Sequence, residues 1–370
     1  MTRRVLDIAA GLLLATALLT GCAAATPTPS GAAAQLVGVA MPTTTSTRWV
    51  ADGKNVSAQL TALGHRVDLR YAQDDVPTQV AQVQAMIDEG ADALIIGAVD
   101  GTALKDVLAQ AGKRHIPVIS YDRLIRDSPD VDYYATFDNL RVGVQQATSL
   151  LQGLGVLDAT GAPTGARGPY SIELFAGSPD DNNATVFYDG AMSVLRPYLD
   201  SGVLVVPSGQ TDFAAIATQA WSGKTAGARM RTLLPTYYQG PGRRLDGVLS
   251  PYDGISIELL AAAGEIGYGT AAQPWPVVTG QDAEVASVKS IIAGQQYATV
   301  YKDTRQLAEV AVSMVEALLG GREPETNDTT SYDNGVKVVP SYLLRSQVVT
   351  KSSYQDVLVA SGYYTQQELG

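Results

Sequence analysis

Seven runs of apolar or β-branched residues in this chain end on side chains that can bind but not cleave. Leu36–Met41 leads through Pro42 to Arg48-Trp49, Val118–Tyr121 to Asp122-Arg123, and Tyr133–Phe137 to Asp138-Asn139. Ser171–Phe175 precedes Ser178-Pro179-Asp180-Asp181-Asn182-Asn183, and Gly247–Ser250 precedes Tyr252-Asp253. Pro276–Thr279 precedes Gln281-Asp282, and Ala298–Tyr301 precedes Lys302. One Asp-Arg dipeptide alone could equally be an exposed ion pair, which contributes little. Recurrence at the carboxyl ends of successive strands is different, because in open α/β sheets ligands sit in the crevice beyond those ends.

The set consists of planar acceptors, forked or charged donors and indoles, with no strong nucleophile beside a base. Such groups suit a ring bearing vicinal hydroxyls: a carboxylate or amide can take two of them, while Arg or Lys supplies protons. The apolar C–H face of that ring can pack on an aromatic side chain, for which Trp49 and Trp221 are the candidates. Each hydrogen bond nets only about 1 kcal/mol when exchanged against water, so the site must close over its ligand.

The elements that must position these groups alternate regularly. From Leu36 strands exchange with helices near 47–63, 77–89 and 102–113, and Gly64, Gly90 and Gly112 stand where helices should stop. This predicts a right-handed, doubly wound parallel sheet. Beyond Asn139 the pattern starts again, with helices at 141–151, 184–199, 226–234, 254–263 and 283–292 between the later strands. Helix 305–319 then leads through a polar loop to an extended run at 336–344 and a short terminal helix. A chain of 370 residues also exceeds the size at which one core usually stops growing. Two Rossmann-like α/β lobes are therefore expected.

Composition narrows the function. With 46% hydrophobic and 17% charged residues the chain should fold, and a net charge of −11 argues against nucleic acid or an anionic membrane surface as partner. The single cysteine, Cys22, excludes an internal disulfide and a thiolate metal cluster. Asp180–Asn183 lacks the glycine and the spaced glutamate of a calcium loop, so no metal is expected. Gly267-Tyr268-Gly269-Thr270-Ala271-Ala272 fits a dinucleotide pattern on paper but follows a helix where a strand is required, so no cofactor is expected.

The amino terminus reads as an export signal. Arg3-Arg4 precedes an apolar run from Ile8 to Leu19 that is too short to span a bilayer, followed by Leu19-Thr20-Gly21-Cys22. That tetrapeptide resembles a bacterial lipobox, so Cys22 is expected to be lipidated after removal of residues 1–21. Residues 22–34, uncharged and rich in Ala, Thr, Pro and Ser, read as a flexible tether. The expected location is the outer face of the cell membrane, held by lipid alone.

A longer set of stretches carries a family resemblance. These are Ser46-Thr47-Arg48-Trp49, Tyr121 to Arg126, Tyr134 to Asn139, Gly177 to Asn183, Tyr188 to Met192, Ser250 to Gly254, Gly280 to Ala283 and Val300 to Asp303. In order and spacing the chain resembles the periplasmic sugar-binding proteins of bacterial ABC transporters, of type I periplasmic binding protein fold. The likeness is to the xylose-binding and multiple-monosaccharide-binding branch, and it covers nearly everything from Leu36 onward. It implies ligand contacts from Arg48, Trp49, Asp122, Arg123, Asp181, Asn183, Asp253, Asp282 and Lys302, with Trp221 as a stacking indole. Tyr252 stands where the xylose-binding branch has asparagine, which favours the multiple-monosaccharide branch.

The resemblance also implies a hinge of three crossings, near Asn139, near Lys302 and in the 330s. One lobe would then comprise 35–139 and 303–333, the other 140–302 and 334–370. The expected protein is a monomer that closes on a free monosaccharide and docks on a membrane permease driven by an ATPase. The runner-up is a glycoside-processing enzyme using paired carboxylates such as Asp122 and Asp282. A sugar-responsive repressor would need a basic helix-turn-helix at the end where the signal stands.

Overall fold

The computed structural model describes residues 34–370; the signal, Cys22 and most of the tether lie outside the described residues. Strand β1 (Leu36–Met41) is followed by α1 (Thr47–Ala62), β2 (Arg66–Tyr71), α2 (Val76–Asp88) and β3 (Ala93–Ile96). Then come α3 (Lys105–Lys113), β4 (Val118–Tyr121) and β5 (Tyr133–Phe137). The chain continues through α4 (Asn139–Gly153), β6 (Tyr170–Leu174), α5 (Asn182–Asp200), β7 (Leu204–Val205) and a short α6 (Phe213–Ile216). It goes on with α7 (Gly223–Tyr237), β8 (Gly247–Leu249), α8 (Asp253–Glu265), β9 (Val277–Val278), α9 (Val285–Ala293) and β10 (Ala298–Tyr301). Helix α10 (Thr304–Leu319) and strands β11 (Ser341–Leu344) and β12 (Gln347–Thr350) complete the frame, with α11 (Gln366–Leu369) last.

The first sheet has six parallel strands in the order β11-β5-β4-β3-β1-β2. Both of its faces are buried, and the pleat sorts its side chains between them. Val37, Val39, Met41, Ala93 and Ile95 face α1 and α10, whose Val56, Leu60, Leu307, Ala311 and Val315 close that core. Ala40, Leu94 and Ile96 face α2 and α3, meeting Val83, Met86, Ile87 and Leu108. A strand buried on both sides must be apolar at consecutive positions, which is why Leu94-Ile95-Ile96 does not alternate.

The second sheet is also parallel, in the order β7-β6-β8-β9, and an isolated parallel bridge from Gln281 to Val300 brings β10 beside it. Ile172 and Leu174 pack under α4 and α5, while Val248 and Val278 pack under α7 and α8. Helices α4 and α5 approach closely because Gly143 lies against the backbone of Phe187 and Ala191, and Gly190 against that of Leu140; a side chain at either glycine would have nowhere to go.

Three details depart from expectation. The run 336–344 is a strand only at Ser341–Leu344, and that strand pairs with β5 at the edge of the first sheet. The last crossing therefore falls between Leu344 and Gln347, not in the 330s, and residues 334–344 side with the first sheet. Beyond it β12 pairs antiparallel with β10, an element the sequence reading lacks. An edge strand half covered by neighbours has a weak apolar signature, so Gln347-Val348-Val349-Thr350 is hard to separate from a loop.

Candidate ligand-binding site

In each sheet, consecutive strands diverge to opposite sides at one point: between β1 and β3 in the first, between β6 and β8 in the second. The carboxyl ends there face one another across a cavity of about 540 Å3. The first turn of α1 delivers Arg48 and Trp49, the end of β4 delivers Asp122 and Arg123, and the start of α5 delivers Asp181 and Asn183. Trp221 comes from a short turn before α7, Asp282 from beyond β9, and Lys302 from the crossing after β10. All nine line the cavity. Three of them, Asp122, Trp221 and Asp282, have left-handed backbone, with φ of 60°, 54° and 88°. For residues other than glycine such conformations cost about 1–3 kcal/mol each and cluster where a side chain must be aimed.

Arg48 is the centre of the charge network. Its Nε donates to Asp52 Oδ2 at 2.7 Å and its Nη2 to Asp122 Oδ2 at 2.7 Å, with Asp282 Oδ1 4.0 Å from Nη1. Burial opposes a charge here, but Asp122, Asp52 and Asp282 together hold the guanidinium well above its ordinary range. Burial likewise disfavours ionised Asp122, yet Arg48 and Lys302 outweigh it and keep that carboxyl well below the usual carboxylate range. Lys302 Nζ lies 2.9 Å from Asp282 Oδ1. This contact is ionic and not an aligned hydrogen bond, so Oδ1 keeps an unused acceptor direction.

The halves also touch across the cavity. Arg123 Nε pairs with Asp181 Oδ2 at 3.0 Å, and Asn183 Nδ2 donates to the Asp122 carbonyl at 2.7 Å. The Asn183 Oδ1 accepts from Tyr134 and Asn139, so both ends of this amide are engaged and it ties the halves together. Trp49 packs with the guanidinium carbons of Arg48 and Arg123 4.6 and 5.2 Å from its ring centroid, so two cations already use its π-surface. Trp221 forms an aromatic wall with Phe187 and Tyr252, at ring-centroid distances of 6.3 and 6.2 Å.

One expected contact is displaced. Asp253 is fully buried and does not line the cavity; its carboxylate accepts from the Glu284 N–H, Gln296 Nε2 and Thr299 Oγ1 at 2.9, 3.1 and 2.9 Å. As the first residue of α8 it turns inward, behind Gly280, and holds the backbone that carries Asp282 and Glu284. Other residues were missed. Glu284 accepts from Ser46 Oγ of the opposite half and from Tyr252 Oη, both at 2.8 Å. Asp52 backs Arg48 from one turn further along α1, a spacing of four that does mark a helical ion pair in sequence. Phe187, four residues after Asn183 on α5, had the same kind of signal.

Asp52 makes the site sensitive to pH. Burial pushes its pKa up from 3.8 to about 6, although Arg48 and the Tyr121 hydroxyl at 2.5 Å both favour the anion. The folded protein thus holds a proton that the unfolded chain releases between about pH 4 and 6. Stability from this group rises as pH falls through that window and is lost as pH climbs above 6. Asp52→Asn should remove on the order of 2 kcal/mol of that pH dependence. Urea unfolding at pH 4.5 and 7.5 checks it, and equal changes in both proteins would refute it.

Among the described residues no group of three or more His, Cys, Asp or Glu side chains is arranged to hold a metal. The site offers aligned donors and acceptors around the cavity between the two sheets. Residues 37–323 match the family model described as a periplasmic binding protein domain. The chain belongs to this family. It is 56% identical over 333 residues to the multiple sugar-binding periplasmic receptor ChvE of Rhizobium radiobacter, covering 90% of this chain and 92% of that protein. It is 33% identical over 336 residues to the D-xylose-binding periplasmic protein of Escherichia coli K12, covering 90% and 92%. The solved structure of an ABC transporter solute binding protein from Clostridium phytofermentans with bound β-D-glucose aligns with a TM-score of 0.84 at 45% identity, over 91% of this chain and all of that one. These periplasmic family members are binding proteins, not enzymes, and the type I fold expected from the sequence is theirs.

Proposed function

We propose that this chain is the extracytoplasmic receptor of an ABC sugar transporter, binding a free aldose such as glucose, galactose, xylose or arabinose. The observation that carries the reading is the cavity itself. Arg48, Asp122 and Arg123 enter it from one half, Asp181 and Asp282 from the other, and Lys302 from a crossing between them. The names of the similar proteins, for multiple sugars, xylose and bound glucose, agree with it. Closure of the halves excludes water, and a ligand drives that closure only through its greater affinity for the closed form. Asn183 and the Ser46–Glu284 bond act as ties made on closing. The loaded receptor, a monomer anchored through lipid on Cys22, then docks on a permease driven by an ATPase. An affinity near micromolar, about −8 kcal/mol, suits capture and release.

A thermal-shift screen tests the reading. A ligand that binds only the native state at about 100 times its Kd adds about 2.7 kcal/mol, enough to raise Tm by several degrees. At least one aldose should do so while amino acids do not. A flat response to every monosaccharide would overturn the proposal.

A further inference from the structure

Asp282 and Ala283 are consecutive residues in left-handed backbone, with φ of 88° and 52°, and neither is glycine. Such conformations persist only where surrounding contacts over-determine them. Three of those contacts come from the strands and helices close by. The Asp282 N–H donates to the Val300 carbonyl at 2.8 Å, the Ala283 N–H to Thr299 Oγ1 at 3.2 Å and the Glu284 N–H to Asp253 Oδ2 at 2.9 Å. The Ala283 carbonyl is held from elsewhere. Tyr364 Oη donates to it at 3.0 Å, from 81 residues further along the chain.

Residues 354–370 are packed so as to present that hydroxyl. Leu358 and Leu369, 0% and 3% exposed, anchor the segment on either side of it, in one core with Ala283, Val288, Tyr301 and Val349. Between them the Tyr363 ring packs edge-on against both Tyr301 and Tyr364, at centroid distances of 4.7 and 4.8 Å. Immediately after Tyr364, Thr365 and Glu368 form a capping box that fixes the backbone on its far side. The hydroxyl is thus carried by a packed ring and stands as a strut behind the turn.

Resting on the reading of Asp282 as a sugar contact, we propose that Tyr364 is a positioning residue for binding. By fixing the Ala283 carbonyl it holds the left-handed turn that aims the Asp282 carboxylate, with its unused acceptor direction, into the cavity. Tyr364 does not itself line that cavity and acts through Asp282. Without its hydroxyl the carbonyl of fully buried Ala283 lacks this donor, and the turn relaxes toward backbone that L residues prefer.

Calorimetry with the best-binding aldose on the full chain, Tyr364→Phe, Asp282→Ala and the double variant tests this. Phenylalanine keeps the ring in its core and removes only the hydroxyl. Tyr364→Phe should weaken the sugar by about fivefold or more, the effect of losing one hydrogen bond. In the Asp282→Ala background the same change should alter affinity by less than about twofold, because no carboxylate is left to aim. A merely structural loss would weaken binding by the same factor in both backgrounds, and that result overturns the proposal. A smaller loss in the first comparison overturns it as well. If Asp282→Ala itself binds normally, the proposal falls with the assignment of Asp282 while the receptor reading stands. No binding of any aldose by the unaltered chain overturns the receptor reading and this one together.

Discussion

Replacing Asp282 by alanine is expected to weaken sugar binding by about 2–4 kcal/mol, a factor of roughly thirty to several hundred. Asp282 is 8% exposed, yet it stands within ion-pair reach of both Lys302 and Arg48. Removing it deletes an acceptor with a free lone pair and deprives Lys302, itself 2% exposed, of its ion-pair partner, leaving it only the field of Asp122, which Arg48 already pairs. A cation stranded in a closed cavity costs more than the pair was worth, because water that solvated it in the open form is expelled on closing. The variant should fold, since the charge cluster keeps Asp52 and Asp122 on Arg48. Calorimetry against the best aldose measures the loss, and near-normal affinity would remove Asp282 from the ligand's contacts.

Arg48→Met should be more damaging, because it acts on the fold as well as on binding. The side chain is 5% exposed and bridges Asp52, which is fully buried, to Asp122. Breaking a buried pair from one side typically costs 3–5 kcal/mol, since the carboxylates left behind must stay charged without a partner or take up protons. The urea midpoint should fall with little change in the slope, as no extra surface is exposed. Adding Asp52→Asn to Arg48→Met should restore part of the loss, a coupling of more than about 0.5 kcal/mol between touching residues. Simple additivity would show that the Arg48–Asp52 contact carries none of this stability.

Much of this was legible in the residues because it is local. Alternation of apolar runs with helical periods, punctuated by glycines, follows from the two backbone geometries, so the strands other than β12 and their order along the chain could be read directly. A polar residue soon after a buried strand is also a local signal, which marked the candidate stretches; the family resemblance narrowed them to ten residues, nine of which line the cavity. Asp253 shows the limit. Its position after β8 is as expected, but the next half turn of backbone points its carboxylate inward to Gln296 and Thr299. No spacing rule distinguishes a carboxylate facing the ligand from one that braces the loop behind it.

What the sequence determined by itself is the α/β class, the division into two sheets and the kind of chemistry at their ends, because each depends on residues near in the chain. What only the tertiary structure decided is which of those ends meet. The placement of β11 on the first sheet and β12 against β10, the tie from Ser46 to Glu284 across 238 residues, and the sharing of Arg48 among three carboxylates are contacts between distant segments. Such contacts arise from closing long loops and packing sheets against shared helices, and those are properties of the whole chain that no local pattern encodes.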